Sequence, residues 1–262
     1  MTDKFPASSS APLVIFDLDD TLVDTSHVYW EARTKFLGYM NDLGFDVEEV
    51  LSRFEEIDTN LLGKYGHAPE RYLASMRETY GSLCKEVGGG ESPDVMERIQ
   101  HAGDWVIKTV PELIPDAIKL LEGVKSLGFA AILLTRGVEA VQKRKIELHG
   151  LEKYFSKIEV VSKKDSDLFA SIMKGAKAEP SQCWVVGDSI KSDINPAIIS
   201  GANCILYLYT HHSYYWRQEY GASPVGEFRI AHNLIDVLSI LGDPSGSPLT
   251  SSVPERSPHL PL

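Results

Sequence analysis

Five short stretches of the chain are apolar almost without interruption: LVIFD (13–17), AAILLT (130–135), IEVVS (158–162), CWVVGD (183–188) and CILYL (204–208). Continuous rather than alternating hydrophobicity over so few residues predicts strands covered on both faces, the habit of parallel sheets. Around them, over residues 115–127, 138–149, 166–177 and 191–200, apolar positions recur at helical spacing. Strands alternating with helices predict an α/β fold, a parallel sheet with helices on both faces.

One connection breaks the rhythm. Residues 25–112, between the first and second predicted strands, carry helical periodicity throughout. Ala32, Phe36, Met40 and Leu43 mark one helix; Val47, Val50, Phe54 and Ile57 mark the next. Tyr72, Leu73, Met76, Tyr80, Leu83, Cys84 and Val87 share a third face, and Val95, Ile99, Ala102 and Val106 a fourth. An all-helical insert here is expected to pack as a small bundle over the carboxyl edge of the sheet. The predicted division is therefore a core of residues 12–24 and 113–242, a helical insert of 25–112, and flexible tails at 1–11 and 243–262. The last of these is rich in Pro and Ser. Gly88-Gly89-Gly90 lacks a flanking strand and a Gly-Lys-Ser/Thr ending, so it reads as a helix–helix turn rather than a phosphate loop.

Charge narrows the partners. The 262 residues carry a formal net charge of −11, which argues against broad binding to nucleic acid or anionic membranes. No apolar run approaches the ~20 residues of a membrane span, and the N-terminus lacks the apolar stretch of a secretory signal. Three cysteines (Cys84, Cys183 and Cys204), with no metal-type spacing, read as buried free thiols in a reducing compartment. The expected location is cytoplasmic. His211, His212 and Trp216 read as rim or packing residues, because adjacent histidines without a third ligand make a poor zinc site.

Candidate chemistry gathers at the strand ends, where ligands bind in such sheets. The first strand closes on Asp17 and Asp19, with Asp20 and Thr21 beside them; the second on Thr135, Arg136 and Gly137. Lys163 and Lys164 follow the third strand, and Asp188 closes the fourth with Asp193 five residues on. Converging carboxylates repel, so either some hold protons or a cation offsets them. Oxygen ligands without His or Cys suit a hard cation such as Mg²⁺. Asp17, the first side chain past the strand, is placed to act as a nucleophile, and Asp19 as an acid/base. Asp20 reads as turn chemistry, and Asp24 as a residue of the junction with the insert.

In order, DLDDTL, LLTRG, the Lys163/Lys164 segment and GDSIKSD resemble the four motifs of the haloacid dehalogenase superfamily, across roughly residues 12–210. The resemblance implies a Rossmann-like core with a helical cap inserted after the first motif. It also implies a Mg²⁺-dependent phosphatase acting on a small phosphorylated substrate. Asp17 matches the nucleophile and Asp19 the general acid/base. Thr135 matches the phosphate-binding hydroxyl, with Arg136 beside it, and Asp188 the metal carboxylate. The Asp17 carboxylate and the Asp19 carbonyl would complete the metal ligands, and Asp193 would support the site. Where many relatives have Lys-Pro this chain has SKKDSDLF; Lys164, at the entrance of the next helix, is favoured as the phosphate-binding lysine, with Lys163 as the fallback.

Two other readings stand beside a phosphatase. A phosphotransferase or phosphomutase would use the same four motifs. A non-catalytic binding module is marked in such folds by loss of Asp17 or Asp188, and both are present. A dehalogenase would not need Asp19. The sequence names no substrate and no oligomeric state.

Overall fold

The computed structural model describes residues 12–208 and 222–252. Residues 1–11, 253–262 and the segment with His211, His212 and Trp216 lie outside that range. The described residues build one sheet from β1 (Leu13–Phe16), β2 (Ala130–Arg136), β3 (Lys157–Val161), β4 (Cys183–Gly187), β5 (Asn203–Tyr207) and β6 (Arg229–Ala231). The spatial order is β3-β2-β1-β4-β5-β6, with every neighbouring pair parallel. The chain grows outward from β1 on one side, then crosses over and grows outward on the other. That reversal, between β1 and β4, opens the crevice where such sheets hold ligands.

The alternation hidden inside the apolar runs becomes visible in the packing. Val14 and Phe16 face a cluster with Leu120 and Val124 of α5 (Ala117–Ser126) and Leu234 and Val237 of a C-terminal helix, Leu234–Gly242. Leu13 and Ile15 face the opposite cluster, with Phe169 and Ile172 of α7 (Ser166–Gly175) and Ala197 of α8 (Asn195–Ile199). Helices therefore cover both faces, as the sequence pattern predicts. The C-terminal helix is α9, and α6 spans Glu139–Leu148.

Four details differ from the sequence reading. The third strand is an edge strand and only half-buried, with Lys157 exposed. The helix expected over 191–200 is a π-helical turn, Ile190–Ile194, running into the short α8. β6 and α9 have no counterpart among the predicted elements. Residues 243–252, expected in a loose tail, return to the sheet: Phe228 and Thr250 exchange both backbone hydrogen bonds, at 2.9 and 2.8 Å.

The insert between β1 and α5 is four helices: α1 (Thr25–Asp42), α2 (Val47–Tyr65), α3 (Glu70–Glu86) and α4 (Pro93–Lys108). Asp24 caps α1 and Asp46 caps α2, each accepting a backbone N–H three residues on. Phe36, Met40, Phe54, Tyr72, Met76 and Ile99 form their own core, with the Phe54 and Tyr72 rings edge-on at 4.9 Å. Leu43 and Val87 do not join it: each closes its helix and is exposed, at 45% and 68%. The glycine run lies in the turn between α3 and α4. The two ends of the insert leave the core side by side, since Asp24 N–H donates to the Glu112 carbonyl at 2.8 Å and Ile114 N–H to that of Leu22 at 2.9 Å.

A buried ion pair also sits in the insert. Arg71 Nε donates to Asp58 Oδ1 at 3.0 Å and Nη1 to the Gly66 carbonyl at 2.6 Å, while Ser75 Oγ donates to Asp58 at 2.7 Å. Among the described residues no helix is long and apolar enough to cross a membrane, and Cys84, Cys183 and Cys204 are buried free thiols.

Candidate active site

Strand register sets the site. Phe16, the last residue of β1, is level with Leu133 of β2 and Val186 of β4. Asp17 N–H donates to the Val186 carbonyl at 2.9 Å, so the ladder runs one group further before the chain turns out. Thr135 and Asp188 then sit within a residue of the same level on the two neighbouring strands. Lys164 arrives from the loop between β3 and α7, and Asp193 from the π turn after β4.

The central contact is a buried lysine between two carboxylates. Lys164 Nζ donates to Asp17 Oδ1 at 2.5 Å and to Asp193 Oδ1 at 2.7 Å. Asp193 Oδ2 accepts the Ser189 N–H at 3.2 Å. Lys163 points elsewhere: it is 76% exposed and pairs with Asp165 at 3.4 Å. Asp17, Asp188 and Asp193 each bring a carboxylate oxygen within 4.8 Å of the others. Two carboxylates at 4.8 Å repel by about 3 kcal/mol at an effective dielectric near 20.

That repulsion and burial set the protonation. Burial, against the pull of Lys164 and with the push of Asp193 and Asp19, raises the Asp17 carboxyl to about 7. Burial, then the charges of Asp20, Asp17 and Asp193, raises Asp188 well above the ordinary range. Burial alone would discharge Lys164, but Asp17 and Asp193 together hold it as a firm ammonium.

Asp19 lives in a different environment. Its Oδ1 accepts from Lys145 Nζ at 2.5 Å and Thr25 Oγ1 at 2.5 Å, and its Oδ2 from Gln142 Nε2 at 2.8 Å. Burial would raise this carboxyl; Lys145, Thr25 and Gln142 outweigh it and hold Asp19 below the usual value. Two carboxyls two residues apart are thus pushed in opposite directions. Asp20, at φ 57°, turns the other way and accepts Ser26 N–H at 2.7 Å and Ser26 Oγ at 2.6 Å. Those bonds tie the β1 loop to the first turn of α1.

Asp17, Asp19, Asp188, Asp193, Lys164 and Arg136 all line one cavity of about 190 Å³. Thr135 does not: it is fully buried behind the wall, its hydroxyl accepting Gln142 Nε2 at 2.5 Å. Lys163 is also absent from the lining. The sequence reading missed Gln142 and Lys145 of α6, Thr25 and Tyr29 of α1, and Arg71 of α3, all of which line the cavity. Gln142 and Lys145 are three residues apart and share a helical face. Within VQKRKIE, however, they read as an ordinary solvated stretch.

A sequence model of haloacid dehalogenase-like hydrolases matches residues 11–201. Among characterised proteins, the chain is 23% identical over 197 residues to glyceraldehyde 3-phosphate phosphatase of Methanopyrus kandleri, covering 72% of this chain and 80% of that one. It is 20% identical over 203 residues to mouse N-acylneuraminate-9-phosphatase, covering 74% and 81%. The fold matches a crystal structure of a haloacid dehalogenase-like family hydrolase from Xanthomonas campestris with a TM-score of 0.70 and 22% identity, over 90% of this chain and 96% of that one.

Proposed function

The chain belongs to the haloacid dehalogenase-like hydrolase family, and on that premise we propose that it is a Mg²⁺-dependent phosphomonoesterase. It would act on a small phosphorylated metabolite through an aspartyl-phosphate on Asp17. The phosphatase names of its relatives support the reaction class. The observation that carries the reading is the buried Lys164 ammonium held between Asp17 and Asp193 at the strand ends, with Asp188 brought within 4.8 Å of both carboxylates and Asp19 on the same loop as Asp17.

The donor set fits a hard divalent cation. The cluster is all carboxylate oxygen, two of its three carboxyls are pushed toward protonation, and each would gain from a positive charge. Asp17 and Asp188, with the Asp19 carbonyl, would hold the ion. Both oxygens of Asp193 already accept hydrogen bonds, from Lys164 and Ser189, which suits support rather than direct ligation. A bound Mg²⁺ supplies charge that keeps Asp17 ionised and offsets that of the phosphate.

The chain's own groups do the rest. Asp17, ionised, attacks phosphorus while Lys164 and Arg136 balance charge on the phosphoryl oxygens. Asp19 gives a proton to the leaving oxygen, then takes one from the water that opens the aspartyl-phosphate. Against burial, Lys145, Thr25 and Gln142 favour its ionised form, the form that takes the proton from water in the second half. Thr135, held by Gln142, backs the phosphate site from behind the wall. The four-helix insert acts as a cap, tied to Asp19 through Thr25. A cytoplasmic setting belongs to the same proposal, supported by three buried free thiols.

The test is phosphate release from p-nitrophenyl phosphate and a panel of phosphorylated metabolites, with Mg²⁺ and with EDTA. Mg²⁺-dependent release is expected. No release from any compound under either condition would overturn the proposal.

A further inference from the structure

Six residues of the insert line the cavity: Thr25, Ser26, Tyr29, His67, Pro69 and Arg71. Arg71 is the permanent cation among them, and it is 4% exposed. Its guanidinium is fixed from behind, by Asp58 at 3.0 Å and the Gly66 carbonyl at 2.6 Å. Asp58 is buried and is not a lining residue, and Ser75 orients it in turn. A buried ion pair seldom stabilises a fold more than apolar packing would. This one fixes Arg71, a lining residue of the cavity, through Nε and Nη1, and a guanidinium is the side chain that best recognises carboxylate or phosphate.

The opposite wall is committed to the phosphate end. Asp17, Asp19, Asp20, Asp188 and Asp193 line it, Lys145 and Lys164 are bonded to those carboxylates, and Arg136 is assigned to the phosphoryl oxygens. Tyr29 also lines the cavity, its ring edge-on to Tyr72 at 4.9 Å. A phosphate ester seated at Asp17 would therefore direct its far end toward the insert. Resting on the phosphatase reading, we propose that Arg71 is a specificity-determining residue. It receives a second anionic group, a carboxylate or a second phosphate, carried on the leaving-group side of the substrate.

The test compares matched esters on the full-length, Mg²⁺-loaded protein. One arm sets carboxylates against neutral partners: 2-phosphoglycolate against hydroxyethyl phosphate, 3-phosphoglycerate against glycerol 1-phosphate, and 6-phosphogluconate against glucose 6-phosphate. The second sets fructose 1,6-bisphosphate against fructose 6-phosphate. The wild type should favour the anionic member of at least one pair about tenfold or more in kcat/KM, the scale of one charge-assisted hydrogen bond. Which arm responds names the anion. In Arg71→Lys that preference should shrink, mainly through KM, by about tenfold relative to the neutral partner. Equal kcat/KM within every wild-type pair would overturn the inference, even if the variant failed to fold. A folded variant that loses both members of a pair equally would also overturn it. Turnover of p-nitrophenyl phosphate by the wild type keeps the two failures apart: without it the phosphatase reading falls, and with it only the role of Arg71 is at stake.

Discussion

Replacing Lys145 by Met tests whether α6 controls the Asp19 carboxylate. The pair is close, 2.5 Å, with the lysine side chain 9% exposed and the aspartate side chain 28% exposed. Breaking a fully buried pair costs about 3–5 kcal/mol. Thr25 and Gln142 remain as donors, and Asp19 is partly wet, so the loss should be nearer ~2 kcal/mol, the scale of one charge-assisted hydrogen bond. At roughly 2–4 °C per kcal/mol for a chain of this size, the melting temperature should fall by about 4–8 °C. The sign with pH follows from the lowered Asp19 carboxyl. Its contribution is complete above the ordinary value of 3.8 and is lost as pH falls through the lower folded value. The assay is urea unfolding near neutral pH on Lys145→Met, Asp19→Asn and the double variant. A coupling of about 1.5–2 kcal/mol is expected. Additivity within ~0.3 kcal/mol would refute the idea that the two groups act as a pair.

The remaining predictions concern metal, lysine and backbone. Asp17, raised to about 7, and Asp188, also raised, keep protons in the folded protein that the unfolded chain releases. The metal-free protein should therefore lose stability as pH rises from 3.8 toward about 7. Mg²⁺ must displace those protons, so its affinity should rise over the same interval. Melting with Mg²⁺ and with EDTA checks both, and a gap that does not widen from mildly acid to mildly alkaline pH would contradict them. Lys164→Met should cut turnover by at least ~100-fold. Lys163→Ala, which removes only a surface pair, should change it by less than about twofold. At Gly187 an added Cβ would collide with the Asp193 carboxylate. Gly187→Ala should therefore cost about 1–3 kcal/mol in urea unfolding and lower kcat by displacing the partner of Lys164.

The strands and the acidic residues at their ends were legible because both signals are local. An apolar run ending in Asp17-Leu18-Asp19 or in Gly187-Asp188 carries its meaning within six residues. The partners of those acids were not, because only tertiary structure supplies them. Lys145 and Gln142 sit 126 and 123 positions from Asp19 in sequence and lie in a charged helix that reads as a solvent face. Arg71 and Asp58 fall on successive helices of the insert, where a polar residue is invisible against the apolar stripe until α2 packs on α3. β3 is half-buried although IEVV is apolar enough for a central strand, and nothing local reports that a strand lies at the edge. β6 is three residues long, too short to stand out from a loop. Thr135 lies one residue before the end of β2, and its retreat behind Gln142 depends on a side chain seven residues on.

The central claim is that Asp17 carries the phosphoryl group, and it can be read directly. Enzyme turning over p-nitrophenyl phosphate with Mg²⁺ would be quenched in acid, reduced with borohydride and digested. An aspartyl-phosphate is reduced to homoserine, so peptide mass spectrometry should find homoserine at position 17. The signal should be absent in Asp17→Asn and in samples without substrate. Steady turnover with an unmodified Asp17 under the same quench, or with the label on another residue, would contradict the account.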